Sequence, residues 1–128
     1  MIRHALSDSN GATAVEFALL SPVLCLSIMF VFQLGIALQR WTALQAVSDA
    51  TARCAAIAAP VCSTPDASID YAIQLAANRG VPGVTANMVA ITSTSIAGIQ
   101  MQDVTIRYPI DIPGLRASLN ASGNFPIP

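Results

Sequence analysis

At 128 residues the chain has room for one small folded domain beside any anchoring segment. Six Arg and no Lys against seven acids give a formal charge of −1, and only 10% of residues are charged, which excludes the basic face that nucleic-acid binding requires. Hydrophobic residues make up 54%, a composition suited to lipid or to packing against other subunits.

Residues 1–10 carry no hydrophobic period, and Ser7-Asp-Ser-Asn10 is turn chemistry, so they read as a short leader. From Gly11 the character changes. Glu16 is the single glutamate of the chain, and from Phe17 to Leu38 the residues are apolar apart from Ser, Pro, Gly and Gln33. At 1.5 Å per residue that run makes about 33 Å of helix, enough to cross a hydrocarbon core. A carboxylate entering lipid costs a few kcal/mol or more and requires a reason. One is local: Thr13-Ala-Val-Glu16 has capping-box spacing, in which each side chain satisfies a free amide at a helix start. The other starts from Gly11, which a peptidase can hold extended. Cleavage after it makes Ala12 an amino terminus, with Glu16 one turn inside, where the carboxylate can pair with an amine on its own chain or on a staggered neighbour.

Gly11 followed by Glu16-Phe17 resembles the prepilin processing site of type IV-like pilins in its Flp variant. There, glycine precedes the cut and Glu-Tyr or Glu-Phe occupies mature positions five and six. The longer string Gly11-Ala-Thr-Ala-Val-Glu-Phe-Ala-Leu-Leu-Ser-Pro22, with Gly35 and Arg40 beyond it, is similar to the TadE-like pseudopilins of the tight-adherence (Tad) secretion system. The resemblance implies cleavage between Gly11 and Ala12 by a dedicated prepilin peptidase that reads Glu16 and Phe17. It also implies a structural role in building Flp pili with other pilin or pseudopilin subunits and the Tad assembly machinery. The N-terminus then lies in the cytoplasm and the C-terminal domain in the periplasm, with the span in the inner membrane. Charge does not fix this orientation, because Arg3 and His4, offset by Asp8, nearly balance Arg40 and Arg53. An ordinary signal peptide fits less well: the apolar run is too long and no A-x-A site closes it. Pro22-Val-Leu before Cys25 is a poor lipobox.

Within the anchor, Ala14, Ala18, Ser21 and Cys25 are spaced by four, three and four, a small-residue face that lets helices approach in lipid. Pro22 removes the hydrogen bond to the carbonyl of Ala18 and predicts a kink. Trp41 beside Arg40 suits a membrane interface. Beyond it, Ala43, Val47, Ala50, Cys54 and Ile57 form one stripe and Thr42, Gln45, Asp49 and Arg53 another, so an amphipathic helix continues to Ala59 and stops before Pro60.

Thr64-Pro65-Asp66 starts a second helix, with Ile69, Ile73 and Ala76 on its buried face and Gly80 at its end. The period then falls to two. Met88–Ser93 and the stretch around Val104, Ile106 and Tyr108 are strands joined by an Ala97-Gly98 turn. Leu115–Ala121 is a third, after a turn at Ile112-Pro-Gly114, and Asn124–Pro128, with two prolines, is a tail. The expected fold class is α+β and pilin-like: a long N-terminal helix, a short second helix and an antiparallel three-strand meander. The expected division is 1–11 leader, 12–40 transmembrane helix and 41–128 extracytoplasmic domain.

Cys54 and Cys62 flank Pro60. Two readings stand: a disulfide closing the turn in an oxidising compartment, or two buried thiols. Cys25 is a packing residue of the anchor. No metal site is expected, since neither a histidine nor a third cysteine lies near the pair. An enzyme is not expected either: the single histidine, His4, lies in the leader and no base accompanies the many serines. No cofactor and no small-molecule substrate is implied. The alternative function is an uncleaved, signal-anchored scaffold of the cell envelope that binds partners through its exterior domain.

Overall fold

The computed structural model describes residues 9–112 and 115–128, with side chains from 13 to 110 and from 116 onward. The leader as far as Asp8 and the turn at Pro113-Gly114 lie outside the described residues. The architecture is α+β: helix α1 (Ser9–Ala56), helix α2 (Pro65–Asn78), and strands β1 (Val89–Ile96), β2 (Ile99–Ile112) and β3 (Leu115–Pro126), with 3-10 turns at Pro60–Cys62 and Ala86–Met88. Two units divide the chain, one ending at Gly35 and the other covering Ile36–Pro128. The first contains most of the apolar part of α1 and the second everything that packs into a core.

In the second unit α1 ends at Ala56, three residues before the expected Ala59. The helix closes with Ala58 in the left-handed region at φ 46, while the Ala59 amide reaches back to the Cys54 carbonyl at 3.2 Å. Such a terminus usually carries glycine. Helix α2 starts as its sequence predicts: Thr64 Oγ1 accepts from the Ala67 amide at 3.2 Å with Pro65 in the first turn. It ends in a Schellman arrangement, with the Val81 amide on the Ala76 carbonyl at 2.9 Å and Gly80 at φ 79.

The sheet is a meander in the order β1-β2-β3, both pairs antiparallel. Ile96 pairs with Ile99 across Ala97-Gly98, whose φ angles of 53 and 83 are those of a two-residue type I′ turn, matched to the twist of the strands. The second hairpin closes with Ile112 opposite Leu115. Pro109 sits within β2, yet past Ile106, the last residue that β1 pairs, so its missing N–H is not needed for that ladder.

One face of the sheet and the second half of α1 share a core of Leu44, Val47, Ala52, Ala72, Ala76, Val81, Val84, Val89, Val104, Ile106 and Ala121. This corrects the expected stripe on α1. Ile57 is 55% exposed and Ala50 is half-buried, whereas Leu44, Ser48, Thr51 and Ala52 are fully buried. The buried hydroxyls bond back to their own helix, Ser48 to the Gln45 carbonyl at 2.9 Å and Thr51 to that of Val47 at 2.8 Å. They therefore enter the core without an unsatisfied polar atom. On α2, Ala72 and Ala76 face inward with Ser68, and Ile69 and Ile73 pack at the margin.

A second correction concerns the C-terminus. Asn124–Pro126 is not a tail but the last part of β3, paired with Asp103, Gln102 and Met101. The ladder is prolonged by the Ile127 amide on the Gln100 carbonyl at 2.8 Å. Phe125 packs against the core, and the Arg53 guanidinium lies 5.9 Å from its ring centroid, a cation–π contact.

Candidate functional site

The candidate site is the N-terminal segment around Gly11, Ala12, Glu16 and Phe17. Its backbone is helical from Ser9, which corrects the capping-box reading: Thr13 lies inside the helix, one turn past its start, and therefore cannot be the residue that caps it. Glu16 is exposed, one turn or about 6 Å along the axis from Ala12, and Phe17 beside it is 69% exposed. In the uncut chain the carboxylate is thus a charge near the start of an apolar helix, one turn or more inside it.

The surrounding surface is predominantly apolar. Val15, Leu19, Leu20, Val23, Leu24, Leu26, Ile28, Met29, Phe30, Val31 and Phe32 are all exposed, and the helix has the length and composition to cross a membrane. The small-residue positions Ala14, Ala18 and Cys25 are exposed and Ser21 half-buried; Cys25 is a free thiol. Pro22 lies within α1, which continues through it. A little further on, Ser27 Oγ donates to the Val23 carbonyl at 2.8 Å.

Cys54 and Cys62 are joined by a disulfide whose Cα atoms are 5.8 Å apart. It ties the end of α1 to the 3-10 turn that leads into α2. Among the described residues no group of three or more His, Cys, Asp or Glu could hold a metal ion.

The structure also brings together residues that sequence patterning had not connected. Trp41 Nε1 donates to the Asn120 carbonyl at 3.2 Å and Gln45 Nε2 to the Ser122 carbonyl at 2.5 Å. Two side chains one turn apart on α1 thus occupy outward carbonyls of β3, one of the two edge strands of the sheet, and blunt it. Between them and the next turn sits Gly123: a Cβ there would lie 2.6 Å from the Asp49 amide nitrogen and from the Ser48 carbonyl carbon. Helix and strand backbones therefore touch. A glycine inside a strand is the sequence signal for such an approach, but the expected third strand stops at Ala121, two residues short of Gly123.

Residues 11–53 match the family model described as TadE-like protein. No curated protein and no solved structure matches the chain.

Proposed function

We propose, with the TadE-like match over residues 11–53 as premise, that the protein takes part in assembling Tad pili as a pseudopilin or minor pilin. In this reading a prepilin peptidase cuts between Gly11 and Ala12, reading Glu16 and Phe17. The helix from Ala12 to about Arg40 spans the inner membrane with its amino end cytoplasmic, and residues 41–128 form a periplasmic domain that meets other pilin subunits and the Tad machinery. The role is structural. Its chemistry is one ion pair: the Glu16 carboxylate neutralises a newly made Ala12 amine, on the same chain or on a neighbour, inside an apolar assembly where either charge alone is costly. Placement in or at the tip of the fibre, with a contribution to adhesion, extends the same proposal.

The observation that carries it is Glu16 itself, a carboxylate exposed on a helix whose neighbouring surface is mostly apolar. Mass spectrometry of the protein extracted from membranes tests it. An amino terminus at Ala12 is expected; intact Met1 on functional protein overturns it.

One observation favours the second reading, an uncleaved signal-anchored envelope scaffold. The helix already runs through Gly11 and Ala12, and a peptide bond inside a helix has to unwind before a protease can hold it extended. The same mass measurement decides between the two.

A further inference from the structure

Beside the start of the folded unit, Ile36, Gln39 and Arg40 of α1 and Arg79, Gly80 and Val81 after α2 line a cleft of about 160 Å³. Two guanidinium-bearing residues 39 positions apart in sequence share it, and no carboxylate is among its lining residues. Both arginines are exposed, and neither is held in an ion pair among the described residues. For a chain with only six Arg and a net charge of −1, this is a local concentration of positive charge. Metabolite pockets run from roughly 300 Å³ upward, so the cleft is too small for a nucleotide or a drug-sized ligand. It suits a single tetrahedral anion. Arginine forks match phosphate oxygens in pairs, and the Gln39 amide adds a further donor.

We propose that this cleft takes a phosphate group, carried by an anionic lipid of the membrane in which the chain is anchored. The lipid source rests on the proposed membrane span. Arg40 follows Leu38, the last residue of the apolar run, by two positions, which puts it at headgroup level when that run crosses a bilayer. Arg79 follows the last residue of α2 and has no part in the span. It comes to the same place because the Gly80 turn closes α2 against α1 of the folded unit.

The test uses the full chain in nanodiscs of phosphatidylcholine alone or mixed equally with phosphatidylglycerol, with lipids retained on the released protein counted by native mass spectrometry. The wild-type chain is expected to retain phosphatidylglycerol in preference. Arg79→Gln should lower that preference about fivefold, the effect of one arginine near an anionic surface. Arg107→Gln, the same charge change on an exposed position of β2, should keep it. In a second arm the chain in detergent is titrated with inorganic phosphate and followed by emission of Trp41, the single tryptophan. Phosphate binding that is lost in Arg79→Gln, without any phosphatidylglycerol preference in nanodiscs, upholds the phosphate cleft and overturns its lipid source. Wild-type behaviour of Arg79→Gln in both arms overturns the site. A chain that fails to enter nanodiscs overturns the membrane span, and the second arm then decides the cleft alone.

Discussion

Replacing Gly123 with alanine adds one methyl group at the point where β3 meets the backbone of α1. Its carbon would lie 2.6 Å from the Asp49 nitrogen and the Ser48 carbonyl carbon, and 2.7 Å from the Asp49 Cα. Comfortable carbon contacts are about 3.5–4.0 Å, so strand and helix must part by about 1 Å. These are main-chain atoms of a hydrogen-bonded helix and cannot swing aside as a side-chain tip would. Separation also stretches the two bonds that flank the contact, Gln45 to the Ser122 carbonyl at 2.5 Å and Trp41 to the Asn120 carbonyl at 3.2 Å. Overpacking costs about 1–3 kcal/mol and each of the two weakened hydrogen bonds up to about 1 kcal/mol, giving an expected loss of about 1–5 kcal/mol. A domain of this size has only about 5–14 kcal/mol in all, and a loss of that order lowers Tm by at least about 4 °C. Thermal unfolding of the detergent-held chain, followed by Trp41 emission and circular dichroism, measures it. Gly35→Ala is the control, since nothing lies within 4 Å of a Cβ at that site; it should be neutral or slightly stabilising. A Gly123→Ala protein within about 0.5 kcal/mol of wild type refutes the backbone contact.

Three further outcomes are expected. Ala97 occupies a left-handed turn position at φ 53 that asparagine tolerates better, so Ala97→Asn should raise stability by about 0.5–1 kcal/mol in urea titration. Removing the disulfide by Cys62→Ser frees a loop of sequence separation 8 and should cost about 2.5 kcal/mol by loop-closure entropy; an unchanged urea midpoint would show that the crosslink is not formed in the protein as purified. Gly11→Leu should block processing while leaving membrane insertion intact, read as slower mobility on an immunoblot from cells that carry the peptidase, and normal maturation of the variant counts against the proposed cut.

Much of the fold could be read in advance because its signals are local. Thr64-Pro65 and Gly80 mark the two ends of α2 by backbone chemistry that needs no tertiary context, and the alternation around Val104 and Ile106 gives β2 its buried face. The inward face of α1 was misread because hydropathy counts Ser48 and Thr51 as polar. Their hydroxyls are satisfied one turn back, so in the core they behave much like small apolar groups. The end of β3 was misread because prolines suggest a tail, although only Pro126 lies in the strand, at its final position. Around Gly11 the difficulty was of another kind. Thr13 and Glu16 have the spacing of a cap, and spacing alone does not reveal that the helix has already begun at Ser9.

The hydrogen bond from Trp41 to Asn120 joins positions 79 residues apart, and that separation bears on how the protein is made. Local hairpins and α2 can form as the polypeptide emerges, but the apolar groove over Leu44 and Val47 is sealed only when the closing strand arrives, within the last dozen or so residues. A chain cut short by a premature stop would therefore retain its apolar N-terminal helix and two of its three strands while presenting an open, sticky flank. A protease that seeks exposed apolar chain would find such a product unfinished, so the last strand made is the one that protects the domain.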